Sequence, residues 1–102
     1  MGLERYEARI VRGHVMRILK VAYPGPATLE LLEVTLSDRA CPSSPAIIRG
    51  YVTYLEEKGY VITRDEKDDV LKLTRTLVKL TAHGIDLLEG NIPADPGVVL
   101  GG

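Results

Sequence analysis

The sequence predicts an α+β fold in which three helices build a core and a β-hairpin and a short C-terminal helix follow. Apolar residues recur at helical spacing in three stretches before Gly59. β-branched and aromatic residues then collect from Tyr60 onward, and helical spacing returns after Thr81. With 102 residues, 45% of them hydrophobic, the chain has the size and composition of one domain with one modest core.

The first helix is predicted from Leu3 to Tyr23. The i, i+4, i+7 spacing of a buried helix face is followed by Val11, Val15 and Ile18. Pro24-Gly25-Pro26 ends the helix because proline has no N–H to donate to the helical hydrogen bonds. Gly13 weakens the helix interior, so either a neighbour packs closely there or the helix bends.

Two further helices are marked by residues that cap helix amino termini. Thr28 precedes the second helix, which ends around Ser37-Asp38. Ser44 precedes the third helix, and Pro45 suits its first position because a proline N–H is not needed there. The third helix is predicted to run to Lys58, and its buried stripe consists of Ile48, Val52 and Leu55.

The β-hairpin is predicted from residue 60 onward. Residues 60–63 form its first strand, residues 64–69 an exposed charged tip and residues 70–81 its second strand. The alternation of apolar residues changes phase within the second strand, which predicts a β-bulge near Thr74–Thr76.

The last helix is predicted over His83 to Glu89, with Thr81 as its cap and Gly90 as its end. We therefore assign residues 1–90 to the folded domain. Residues 91–102 contain two prolines and three glycines, so we expect them to form a mobile C-terminal tail.

Two blocks of the sequence carry a resemblance to a known fold family. Residues 55–61, L-E-E-K-G-Y-V, resemble the junction between recognition helix and wing in MarR-, PadR- and ArsR-type regulators. Residues 80–88, L-T-A-H-G-I-D-L-L, are similar to the L-T-x-x-G-x-x-L-L pattern that follows the wing in those families. The resemblance covers about residues 10–90 and implies a winged helix-turn-helix, with a three-helix core, a β-hairpin wing and a short C-terminal helix.

This resemblance implies binding to double-stranded DNA, with the third helix in the major groove and the wing on the adjacent backbone. Short polar or basic side chains near the amino end of that helix suit contact with base edges, and helix amino termini with nearby hydroxyls suit phosphates. The residues expected to bind DNA are Thr28, Arg39, Ser43, Ser44, Arg49, Gly50, Thr53, Arg64, Lys67, Lys72 and Arg75. The alternative for Arg49 and for the wing cations is an ordinary solvated surface position.

The charge pattern disfavours tight DNA binding by a monomer. The net charge is −1, with positive charge concentrated in residues 1–20 and 60–82. The third helix carries Glu56 and Glu57, and the predicted hairpin tip contains four carboxylates. We therefore expect DNA binding that is weak or that depends on a dimer.

The leading expectation is a regulator of transcription that acts as a homodimer on a pseudo-palindromic site. The apolar face of the first helix is longer than a small core requires, so we expect part of it to join the last helix in a two-fold interface. The residues of the last helix expected there are Ile85, Leu87 and Leu88. The alternative, from a different class, is a protein-interaction or assembly module without tight DNA binding, a use of this fold in some small phage and mobile-element proteins.

The sequence contains no pattern that indicates catalysis, metal binding or cofactor binding. His14 and His83 have no ligand partners at metal-binding spacing, and residues 65–69 lack the glycine and ligand spacing of a calcium loop. Cys41, the one cysteine, excludes an internal disulfide and has no resolving partner for redox sensing. The amino terminus lacks the apolar region of a signal peptide, and no apolar run reaches the roughly 20 residues that span a bilayer. We expect a soluble cytoplasmic protein that is not an enzyme and holds no cofactor.

Overall fold

The computed structural model describes residues 2–101, and side chains from Ala8 onward. In chain order the elements are α1 (Gly2–Ala22), β1 (Ala27–Thr28), α2 (Leu29–Asp38), α3 (Pro45–Glu57), β2 (Val61–Asp68), β3 (Leu73–Leu80) and α4 (Ala82–Glu89). The α+β class is confirmed, since the described part of the chain contains four helices and one three-stranded antiparallel sheet.

The three helix caps expected from the sequence are confirmed. In each, a side-chain hydroxyl oxygen accepts a hydrogen bond from a backbone N–H in the first helical turn. These pairs are Thr28 with Leu31 (3.1 Å), Ser44 with Ile47 (3.3 Å) and Thr81 with Gly84 (3.0 Å). Each cap of this kind contributes about 1 kcal/mol to the stability of the helix that it begins.

The hydrophobic core lies between the three long helices and one face of the sheet. Residues of α1, α2, α3 and β3 that are at most 1% exposed include Val15, Met16, Leu19, Leu32, Leu36, Ile48, Leu55, Val78 and Leu80. Because α1 packs against both α2 and α3, the third helix is held with one side against the core and the other side directed away from it.

The sheet has the strand order β1-β3-β2, and β1 was not expected from the sequence. β1 pairs with β3 through Ala27 opposite Val78 and Thr28 opposite Leu77. β2 and β3 pair without interruption from Val61 opposite Leu80 to Asp68 opposite Leu73. The expected bulge near Thr74–Thr76 is therefore wrong, because one continuous register includes those residues.

The position of the hairpin turn also differs from the sequence expectation. Residues 64–68 belong to β2, and the turn is formed by residues 69–72. Asp68 stabilises the turn because its Oδ1 accepts hydrogen bonds from the N–H groups of Val70 and Leu71, each at 3.0 Å. The hairpin is consequently longer than expected, and its charged residues lie on the two faces of a strand pair.

Strand alternation divides the hairpin side chains into two faces. The inner hairpin face holds Val61, Thr63, Asp65 and Lys67 of β2 with their partners Leu80, Val78, Thr76 and Thr74. The outer hairpin face holds Ile62, Arg64, Glu66 and Asp68 with their partners Lys79, Leu77, Arg75 and Leu73. Burial of Val61, Val78 and Leu80 identifies the inner face as the one that contacts the core.

The C-terminal tail runs along α1 as far as residue 101. The Val99 N–H donates to the Arg9 carbonyl oxygen (3.0 Å), and Arg12 Nε donates to the Gly97 carbonyl oxygen (2.9 Å). Val98 is 4% exposed and belongs to the core. The tail therefore contacts α1 and the core. The mobility expected from the sequence stays a prediction, which amide exchange tests.

No helix among the described residues is both long enough and apolar enough to cross a membrane.

Candidate nucleic-acid interface

The outward side of α3, which is directed away from the core, contains several of the residues expected to bind DNA. Ile48, Val52 and Leu55 bury one side of the helix, at 3% exposure or less. Arg49, Gly50 and Thr53 are exposed. A Cβ added at Gly50 would have no neighbouring atom within 4 Å, so this part of the helix is open to close approach by another molecule.

The tail leaves this outward side uncovered. It reaches α3 near the carboxyl end of the helix, where Gly97 packs against the Tyr54 hydroxyl. Asp95 of the tail forms an ion pair with Lys58 at 3.2 Å, just after the last helical residue. The amino-terminal half of α3 is therefore accessible beside the hairpin.

A groove of about 200 Å³ separates α3 from the inner hairpin face. It is lined by Leu29, Arg49, Val52, Thr53, Glu56, Thr63, Asp65 and Thr76. Arg49 Nη2 donates to Thr76 Oγ1 over a long 3.5 Å, and Thr76 Oγ1 donates to Asp65 Oδ1 at 2.9 Å. These bonds connect the helix to the hairpin across the groove.

A second link across the groove starts at Glu56. Its Oε2 accepts a hydrogen bond from the Thr63 N–H (3.2 Å) and another from the Thr63 hydroxyl (2.8 Å). Two carboxylates, Glu56 and Asp65, thus share the groove with one guanidinium, that of Arg49. A DNA phosphate in this groove would meet more negative than positive charge, which disfavours its binding there.

The hydroxyl groups expected to contact phosphates already have local partners. Thr28 and Ser44 accept hydrogen bonds as helix caps, and Ser43 Oγ donates to the Cys41 carbonyl oxygen at 3.2 Å. Thr53 Oγ1 donates to the carbonyl oxygen of Arg49, one turn earlier in α3 (2.9 Å). An incoming phosphate or base would have to share or replace these bonds.

Arg39 lies beside α1 and does not line the groove. It occupies the C-cap position of α2, and its Nη1 is 3.3 Å from His14 Nδ1. Together with Arg17 and the tail residues 99–101, Arg39 lines a separate cleft on the α1 side. The structure therefore does not bring Arg39 together with Arg49.

The four hairpin cations expected to bind DNA are divided by strand geometry. Lys67 lies on the inner hairpin face, and Arg64 and Arg75 lie on the outer face. Lys72 lies in the turn. Arg64 also forms an exposed ion pair with Glu66 at 3.5 Å. Lys67 therefore lies on the opposite side of the hairpin from Arg64 and Arg75.

Four polar residues of the groove were not expected from the sequence: Glu56, Thr63, Asp65 and Thr76. Strand alternation counted from the buried Val61 places Asp65 on the hairpin face that is directed toward α3. Alternation counted from the buried Val78 places Thr76 on the same face. This alternation is present in the sequence, but the predicted first strand ends at Thr63 and so does not include Asp65. The contact of Glu56 with Thr63 depends on tertiary packing and has no sequence signal.

A buried acid stabilises the far end of α3. Asp95 Oδ2 accepts a hydrogen bond from the Tyr60 hydroxyl at 2.7 Å, and its Oδ1 accepts one from the Gly97 N–H at 2.8 Å. Burial opposes ionisation of Asp95, but these bonds and Lys58 hold its pKa below the usual range. Burial and the neighbouring Asp95 raise the pKa of Tyr60 to about 12. This cluster fixes the tail beside α3 and is distinct from the groove.

Among the described residues, no three His, Cys, Asp or Glu side chains lie together as a metal site. No protein-family model matches the chain, and no curated protein is similar enough to match it.

Proposed function

We propose that the protein is a winged helix that binds duplex DNA, with α3 as its recognition helix and the β2–β3 hairpin as its wing. The observation that carries the proposal is the exposed outward side of α3, beside a hairpin and free of the tail. The two sequence blocks that resemble winged-helix regulators support it. Residues 55–61 span the end of α3 and the start of β2, and residues 80–88 span the end of β3 and most of α4.

In this proposal α3 enters the major groove with its amino-terminal half against the bases. Arg49 exchanges its long contact with Thr76 for a base edge or a phosphate, which sacrifices little because the contact is 3.5 Å long. Gly50 allows the helix backbone to approach the bases, and the Thr53 hydroxyl contacts them directly. Lys67 and Lys72 supply positive charge from the wing to the adjacent phosphates.

We further propose that the DNA-bound form is a homodimer on a pseudo-palindromic site and that it acts in transcriptional regulation. A two-fold pair of recognition helices would double the number of phosphate contacts and compensate for the low charge of one copy. Leu87 is 3% exposed and belongs to the core of one chain. Of the three α4 residues expected at the interface, the half-buried Ile85 and Leu88 have surface left for it.

Fluorescence polarisation with labelled duplex DNA tests the proposal. Binding should fall linearly with salt concentration on logarithmic axes, with a slope set by the phosphates contacted. Arg49→Ala should weaken binding to a selected site by about 1–3 kcal/mol. Lys20→Ala, an exposed position on α1, is the matched control and should leave binding unchanged.

Two results would contradict the proposal. Absence of binding to any duplex at low salt would contradict the proposed DNA-binding function. If Arg49→Ala binds a site that the wild type selects as tightly as the wild type does, α3 is not the recognition helix.

The second candidate function is a protein-interaction or assembly module. The observation that favours it is the groove beside α3, where Glu56 and Asp65 outnumber Arg49. A protein partner with a basic or hydrogen-bonding segment suits such a groove better than a phosphate backbone does. Salt titration separates the two functions, because DNA binding carries the steep slope of counterion release.

A further inference from the structure

The outer hairpin face carries apolar side chains that nothing in the described part of the chain covers. Ile62 is 54% exposed and Leu73 is 45% exposed. With Leu77, Pro24 and Pro26, Ile62 lines a shallow groove of about 220 Å³. Apolar side chains grouped in a surface groove are typical of an interaction site.

Positive charge borders this groove. Arg64 and Lys79 line it, and Arg75 lies further along the same face. Glu66 pairs with Arg64 in an exposed ion pair, and Asp68 is occupied by the turn N–H groups. The outer hairpin face is therefore apolar with a surplus of cations.

The outward side of α2 has the opposite charge and a similar apolar content. Leu31 is 49% exposed and Val34 is 59% exposed. Glu30 and Asp38, which are also exposed, are neighbours of Leu31 and Val34 on the helix surface. No lysine or arginine occurs between Leu29 and Asp38, and the adjacent Arg39 contacts His14 of α1, so the charged residues of this α2 face are acidic.

We infer that the outer hairpin face of one copy docks the acidic α2 face of a second copy. The exposed apolar residues of α2 fill the groove beside Ile62 and Leu77, and Glu30 and Asp38 meet Arg64 and Lys79. Both surfaces are amphipathic and opposite in charge, so the partner is a second copy of this chain. Because the two surfaces are different parts of the chain, the contact is heterologous and each copy offers one surface to each neighbour.

Light scattering of the purified full chain, without DNA, tests the inference through charge reversal. The hairpin variant Arg64→Glu/Lys79→Glu and the α2 variant Glu30→Lys/Asp38→Lys should each weaken association at least about tenfold. An equimolar mixture of the two variants should associate, since each then meets a partner of opposite charge. The variant that carries all four charge reversals should also associate with itself.

Lys67→Glu is the control, because it reverses one lysine, as Lys79→Glu does, but on the inner face of the same hairpin. It should associate like the wild type. Circular dichroism checks that each variant is folded. Glu30, Asp38 and Arg64 are exposed and Lys79 is half-buried, and substitutions at exposed positions are usually tolerated.

The inference and the proposed DNA binding fail separately. Association is measured without DNA, and the α2 variant Glu30→Lys/Asp38→Lys changes none of the expected DNA-binding residues, so its effect on association does not depend on DNA binding. A wild type that stays monomeric at high protein concentration overturns the inference. An oligomer that persists unchanged in both double variants assigns association to another surface and also overturns it.

Discussion

Gly13, in the middle of α1, lies directly against the carbonyl group of Val99 in the tail. A Cβ at position 13 would overlap the Val99 carbonyl oxygen. The glycine is therefore explained by close packing of the tail, which is one of the two alternatives that the sequence left open.

Gly13→Ala and Gly50→Ala form a matched pair of helix substitutions. Alanine favours a helix interior over glycine by about 0.5–1 kcal/mol, so Gly50→Ala, which meets open space, should be stabilising by that amount. Gly13→Ala should instead destabilise by about 1–3 kcal/mol, because the Val99 backbone must move. Urea unfolding measures both. Equal stabilisation by the two substitutions would show that the tail does not pack on α1.

Amide exchange in the tail distinguishes a bound segment from a mobile one. The Val99 N–H bonds to the Arg9 carbonyl oxygen, and the Val98 N–H bonds to the Asp95 carbonyl oxygen (3.0 Å each). Both amides should exchange much more slowly than those of an unstructured peptide. Exchange at peptide rates would restore the mobile tail expected from the sequence.

Loss of the Asp95 charge should weaken the tail contact at acidic pH. Because the pKa of Asp95 is lowered in the folded protein, its contribution to stability is present above the ordinary aspartate pKa of about 3.9. That contribution is lost as the pH falls through the lower folded pKa. Asp95→Asn should reduce stability at pH 7 and remove this part of the acid dependence. Thermal unfolding from pH 7 to pH 2 measures it, and an unchanged profile would contradict the assigned role.

Tyr60 should give the opposite dependence at alkaline pH. Its folded pKa of about 12 lies above the ordinary tyrosine pKa of about 10. Its contribution to stability is therefore complete below about pH 10 and is lost as the pH rises through about 12. Absorbance of tyrosinate should reveal one tyrosine that ionises late, and Tyr60→Phe should eliminate that late step. Persistence of the step in Tyr60→Phe would assign it to another tyrosine.

The two hairpin faces should differ in their contribution to DNA binding. Lys67 lies on the inner face, toward the α3 side, and Arg75 lies on the outer face. Lys67→Ala should weaken binding to all sequences about equally and lower the salt slope by about 1. Arg75→Ala should change neither quantity. The reverse ranking in a polarisation titration would show that DNA approaches the outer face.

Local chemistry made most of the fold predictable from the sequence. The caps at Thr28, Ser44 and Thr81 depend on bonds within one helical turn, so short-range patterns were sufficient to find them. The two-residue strand β1 could not be found in this way. It exists through pairing with Val78 and Leu77, about 50 residues further along the chain, and two residues carry no periodicity of their own.

The error at the hairpin has a physical cause. In the sequence, Leu73 and Leu77 are one residue out of phase with Val78 and Leu80, and a bulge would place all four on the same face. The structure resolves the conflict without a bulge, because Leu73 and Leu77 lie on the outer face and Val78 and Leu80 on the inner face. Apolar residues on both faces of a strand pair cannot be assigned by alternation alone.

The candidate site was predictable only in part, because some of its geometry depends on contacts between distant parts of the chain. The exposure of Arg49, Gly50 and Thr53 follows from the helical stripe of Ile48, Val52 and Leu55, which the sequence contains. The separation of Arg39 from Arg49 depends on the contact of Arg39 with His14 of α1, which no local pattern encodes.

The binding of the tail to α1 has a consequence for synthesis on the ribosome. Arg9, Arg12 and Arg17 bond to carbonyl groups 83 to 87 residues later in the chain. Because α1 is synthesised before residues 96–100, its surface is completed only after those residues have been added.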